Sequence, residues 1–130
     1  MIRRFDTYVF GFKKFEVWKE ATVLILLVCE LTEKFPEKEK FDLTNQMRKS
    51  PVSVGANIAE GSSRFSAKEQ GHFYSISCGS LMELMSHTFT AYCLNYLHEE
   101  AFKKVKSTIQ LLSSKINNLK NTAFNKAEKK

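Results

Sequence analysis

The sequence predicts an all-α protein, an antiparallel up-down-up-down four-helix bundle, and three observations carry that prediction. Apolar residues recur at alternating spacings of three and four in four separate segments, the period of a helix face that buries a seam. Only two prolines and five glycines interrupt 130 residues, of which 43% are hydrophobic and 26% charged. That composition suits helices around one core rather than a sheet or a disordered chain. The segments between the seams are short, so consecutive helices run antiparallel.

The first helix is expected over about residues 15–35, on the seam Val17, Ala21, Leu24, Val28, Leu31 and Phe35, with Pro36 as its stop. Trp18, Val23, Ile25, Leu26 and Leu27 fall off that seam. The helix is therefore apolar on more than one side, and a subunit interface is expected to cover the second. The second helix is expected from an Asp42 N-cap to Glu60, on Thr44, Met47, Pro51, Val54 and Ile58. A kink or break is expected just before Pro51, and Gly61 is expected as the C-terminal cap.

Ser66 and Glu69 have the spacing of a capping box and open a third helix that runs to about Leu94. Its stripe reads Phe73, Ile76, Leu81, Leu84, Met85, Thr88, Phe89 and Tyr92, and Gly79 in its middle suggests another backbone close by. The fourth helix follows a turn over residues 95–98 and places Glu99 and Glu100 where the helix dipole favours acids. It then repeats Phe102, Val105, Ile109, Leu112, Ile116 and Leu119. As domain organisation, residues 1–14 read as a leader, 15–122 as the bundle and 123–130 as a basic tail.

The net charge of +6 is uneven: residues 1–100 hold 12 Lys plus Arg against 13 Asp plus Glu, whereas residues 101–130 hold 8 Lys against Glu128. A one-sided basic segment attracts polyanions by releasing counterions, and it also describes a solvated helix face with a frayed end. Along this segment only Phe102 and Phe124 interleave with the lysines, too few for a single-strand stacking platform. Cys29, Cys78 and Cys93 are odd in number and each lies in an apolar run, so they are expected as buried free thiols in a reducing cytoplasm. The apolar run from Val23 to Cys29 comes too late for a signal peptide and is far shorter than the roughly 20 residues of a membrane span.

The searches for chemistry fail on spacing. Glu69 to His72 supplies one Glu-x-x-His, but a di-iron bundle needs a second copy and inward carboxylates, which the first helix does not offer. None of Arg3, Arg4, Arg48 and Arg64 is followed within a turn or so by a His, as toxin-type helical ribonucleases require. Cys78 with His87, or Cys93 with His98, lacks the neighbouring charges that activate a thiol. No phosphate-binding glycine loop occurs, because Gly55 and Gly61 lie at a helix end rather than between a strand and a helix. No catalytic residue, metal or cofactor is expected.

Three blocks occur in order: FEVWKEA at Phe15–Ala21, RKSPVSVGANIAEGSSR at Arg48–Arg64 and GSLMEL at Gly79–Leu84. Together they resemble the four-helix-bundle proteins encoded in intervening sequences of bacterial 23S ribosomal RNA genes, and they are similar to the accessory variability proteins of diversity-generating retroelements. The resemblance covers about residues 15–119. It implies a compact bundle assembled into a homopentameric ring, nucleic-acid binding and, in the retroelement branch, contact with a reverse transcriptase; it brings no catalytic residue with it. Two departures stand out: Gly55 where the family has Pro, with Pro51 where it has a small residue, and Met85 in place of a common acid.

The sequence therefore reads as a cytoplasmic, non-enzymatic homo-oligomer that binds structured RNA or DNA through phosphates. Lys103, Lys104, Lys106, Lys115 and Lys120 are the expected contacts, with Arg48, Lys49 and Arg64 in support. Asn57, Glu60, Gly61, Gly79, Ser80 and Glu83 are expected at a close-packed join between the second and third helices. Asn57 and Glu60 either satisfy polar groups there or face nucleic acid. The competing reading is a scaffold for a partner enzyme that never touches nucleic acid.

Overall fold

A computed structural model of the chain describes residues 12–129. It contains α1 (Phe12–Thr32), one 3-10 turn (Glu37–Glu39), α2 (Leu43–Ser62), α3 (Ala67–Cys93) and α4 (Glu99–Glu128). Each helix packs on the next and α4 returns to α1, with no diagonal contact, which is an up-down-up-down bundle. Residues 1–11 of the expected leader lie outside the described residues, and residues 12–14 belong to α1.

The four seams meet as their spacing requires. Ala21, Leu24, Val28, Met47, Val54, Ile58, Leu81, Leu84, Val105 and Ile116 are wholly buried, and each of them larger than alanine contributes on the order of 2 kcal/mol of apolar burial. Pro51 does not break α2: the helix passes through it without interruption, and the ring is buried on the core face. Asp42 accepts the first backbone bond of α2 from Gln46 N–H but makes no side-chain cap.

Gly61 is not the cap of α2; the helix continues to Ser62 and Ser63 caps it. The glycine is needed for a different reason. A Cβ there would stand 2.9 Å from a Tyr74 ring carbon, 3.0 Å from Phe73 Cβ and 3.2 Å from the Gln70 carbonyl oxygen, so α2 and α3 touch backbone to side chain at this point. Gly79, expected to mark such a contact, is exposed with nothing within 4 Å of a Cβ.

The buried stripe of α3 also differs from expectation. It is Gly71, Tyr74, Ser77, Ser80, Leu81, Leu84, Thr88 and Ala91, while Ile76 and Phe89 are exposed. Five of the eight are glycine, alanine, serine or threonine, and the buried hydroxyls are satisfied: Ser77 donates to the Val54 carbonyl at 2.9 Å and Thr88 to the Leu84 carbonyl at 2.7 Å. Ser66 caps α3 as expected, accepting from Glu69 N–H.

At the opposite end, Asn95 adopts φ 64°, a conformation Asn tolerates, and closes α3 with Tyr96 N–H on the Ala91 carbonyl and Asn95 N–H on the Tyr92 carbonyl. Tyr96 then packs on Phe35 at 5.3 Å and donates its hydroxyl to Glu39, which ties the two loops at that end and raises the phenol pKa. Residues 123–128, expected as a tail, are the last turns of α4. Ala123 prolongs the buried heptad and the Phe124 ring fills the space above Gly71.

Among the described residues no helix is long and apolar enough to cross a membrane. The two glycines give opposite predictions. Gly61→Ala should destabilise the fold by about 1–2 kcal/mol net, since overpacking against a buried ring outweighs the gain in helix propensity. Gly79→Ala should stabilise it by up to about 1 kcal/mol. Urea unfolding of the two variants checks both signs, and a stabilised Gly61→Ala would show that the close contact is not real.

Candidate nucleic-acid interface

The basic excess lies on α4, and contacts fix which way each flank of that helix faces. Phe102 stacks on Tyr92, Cys78 Sγ lies 3.5 Å from Asn117 Oδ1, and Phe124 covers Gly71, so this flank meets α3. Lys115 pairs with Glu20, so the other flank meets α1. Helical periodicity then separates the lysines. Lys106, one turn after Phe102, and Lys120, one turn before Phe124, follow the α3 flank. Lys103 stands outside them, 3.6 Å from Glu99. Lys104 shares the α1 flank with Lys115.

The supporting basic residues are elsewhere. Arg48 crosses from α2 to the end of α1, where Nε donates to Thr32 Oγ1 at 2.8 Å and Nη2 to the Cys29 carbonyl at 3.4 Å, with Glu33 also 3.4 Å away. It thereby caps the end of α1 through one carbonyl, that of Cys29, and the Thr32 hydroxyl. Lys49 is exposed on α2, which lies diagonally across the bundle from α4. Arg64 bonds Glu60 at 2.8 Å and lies 4.9 Å above the Phe73 ring, at the α2–α3 turn. The eight expected phosphate contacts therefore form no single surface. Among the described residues, Lys49, Lys104, Lys106 and Lys120 are the four of them without an ion pair.

The motif residues divide in the same way. Asn57 donates to the Ser53 carbonyl at 2.9 Å and to Ser53 Oγ at 3.2 Å, and Ser53 Oγ meets Ser80 Oγ at 2.8 Å. These three, with Gly61, make the join between α2 and α3. Glu60 and Glu83 are exposed, and Glu60 serves Arg64 rather than the join.

Cys93 is exposed, against the expectation of a buried thiol, while Cys29 and Cys78 are half-buried. Burial pushes the Cys78 thiol up, and the nearby Lys120 charge partly opposes it. Less thiolate is then present at neutral pH, which is the reverse of an activated nucleophile. Among the described residues no three His, Cys, Asp or Glu side chains converge as metal ligands.

Sequence reasoning missed what accompanies the lysines. Phe89 and Tyr92, assigned to the core stripe of α3, lie on its α4 flank, with Phe102 6.2 Å from Phe89 and 4.5 Å from Tyr92. The signal was present only as an antiparallel register between two helices, not as a pattern within one.

Arg48→Ala should lower stability by about 1–2 kcal/mol, a melting shift of roughly 3–8 °C, because charge-assisted hydrogen bonds at a helix end are lost. Lys49→Ala should leave the melting temperature unchanged. An Arg48→Ala melt equal to that of the unmodified chain would return Arg48 to the list of surface cations.

A comparison with curated proteins gives no significant match. The model of one family, described as 23S rRNA-intervening sequence protein, matches residues 13–118, which hold α1 to α3 and most of α4, and the chain belongs to that family.

Proposed function

We propose that the protein is a cytoplasmic, non-enzymatic homo-oligomeric bundle that binds nucleic acid, structured RNA first, through phosphate contacts on the α3 flank of α4. The observation that supports this reading best is Lys106 and Lys120 on one flank, free of ion pairs among the described residues, with Lys103 at its edge. From residue 103 to residue 120 the helix rises about 25 Å, enough for several successive phosphates. A surface of this kind positions a nucleic acid without specifying its sequence. The family description points to ribosomal RNA genes and is compatible with RNA as the ligand.

The exposed apolar residues Val23 and Leu26 on α1 and Leu111 on α4 support an assembled ring. Val23 and Leu111 border the α1–α4 side of the bundle, away from the lysine flank. Apolar side chains exposed on neighbouring helices in this way are suited to being covered by another protein surface. The same residues favour the competing scaffold reading if the covering surface belongs to a partner enzyme rather than to a second copy.

Two measurements decide these points. Affinity for a labelled ribosomal RNA fragment should fall roughly 40-fold between 50 and 200 mM salt if three phosphates are contacted. It should collapse in the triple variant Lys103→Glu, Lys106→Glu, Lys120→Glu; salt-independent binding, or binding that survives the reversal, overturns the phosphate reading. Light scattering should give a pentamer mass that drops to monomer in Val23→Asp with Leu26→Asp. A monomeric unmodified chain that retains a protein partner after nuclease treatment supports the scaffold instead.

A further inference from the structure

We infer that the α3–α4 flank carries a stacking site for an unpaired nucleobase, with Phe89 as the platform and Lys106 beside it for the adjoining phosphate. This rests on the nucleic-acid reading above and narrows it to single-stranded segments, including the loops of a folded RNA.

Phe89, about one turn before the C-terminal end of α3, leaves 56% of its surface exposed. Its ring is nevertheless held. Phe102 lies 6.2 Å away at 57°, and Phe102 is itself stacked on Tyr92 at 4.5 Å and 16°. A ring held by a neighbour that is itself stacked offers a face at small entropic cost to whatever lies on it.

The pairs Phe102–Tyr92, Asn117–Cys78 and Phe124–Gly71 share one antiparallel register, and in that register Lys106 falls level with Phe89. An ammonium beside an exposed ring is the pairing that single-strand sites use, since the base stacks while its phosphate is neutralised. The lysines come from one helix and the aromatics from its neighbour, which is why α4 read alone offered no platform.

Two turns below Phe89 on the same flank Met82 is also exposed, so this side of α3 stays accessible on the way toward Lys120. The acids that border it are Glu99, engaged with Lys103, and Glu83, on the outer face of α3. That balance favours a polyanion. A second copy docking the same flank symmetrically would set lysines against lysines.

The test uses the full chain and two fluorescein-labelled probes, a 15-residue oligo-uridine and a blunt duplex of the same length. The unmodified protein should bind the single strand more tightly than the duplex. Phe89→Ala should weaken single-strand binding about tenfold and leave duplex binding unchanged, with its melting curve confirming the fold. Phe89→Trp should retain binding and show emission quenched by the oligonucleotide beyond any change in Trp18 of the parent. If Phe89→Ala binds both probes like the parent, the stacking site is wrong while the phosphate reading stands. If neither probe binds the parent, both fall. A change of solution mass in Phe89→Ala without a change in binding assigns the ring to contact between copies and overturns the inference.

Discussion

The close approach of α2 and α3 is the constraint from which most of the molecule follows. At Gly61 there is no room for a methyl group beneath Tyr74, and further along the same seam Ser53 meets Ser80 and Ser77 bonds the Val54 carbonyl. Along the core face of α3, Ser77, Ser80, Thr88 and Ala91 therefore alternate with Tyr74, Leu81 and Leu84. The buried hydroxyls are tolerated because each finds a partner at once. Phe89 and Tyr92 fall outside that face, on the flank that meets Phe102.

The second seam of α3 uses the same device. On the α4 side a glycine again makes room for a ring, and the space at Gly71 is taken by Phe124. This contact holds the last turns of α4 in the bundle. It turns a lysine-rich C-terminal segment into a rigid helix whose cations have fixed directions, and fixed directions are what divide them. Lys115 is spent on Glu20, Lys103 stands near Glu99, and Lys106 and Lys120 remain on the flank that the aromatics share. Arg48 is likewise engaged at the end of α1, by the Thr32 hydroxyl and the Cys29 carbonyl.

The class of fold was legible because three of the four seams, on α1, α2 and α4, are carried by aliphatic residues at heptad spacing, which the structure buries almost position for position. The stripe of α3 was not. Hydropathy ranks Ile76 and Phe89 above Ser77 and Ser80, and only the partner helix shows which of them faces inward. Gly61 and Gly79 make the same point: both sit in helices, both read as special, and one is indispensable to packing while the other borders open solvent. Charge was legible as a total and illegible as a surface, since the side each lysine takes depends on contacts such as Glu20–Lys115 that join residues far apart in sequence.

α4 therefore has two flanks of different chemistry, and they suit different partners. Toward α1 the border carries Val23 and Leu111 beside Lys104 and the Lys115–Glu20 pair, with Leu26 on the outer face of α1, and the apolar part of this surface gains from being covered by protein. Toward α3 it carries cations and aromatic faces that lose little by staying wet and gain when a polyanion with flat bases arrives. A ring closed through the first flank would leave the second on every subunit free and repeated around the assembly. Under the proposed function, weak contacts to one strand would then add through effective concentration, so a few phosphates and one stacked base per subunit would suffice for tight binding to a long RNA.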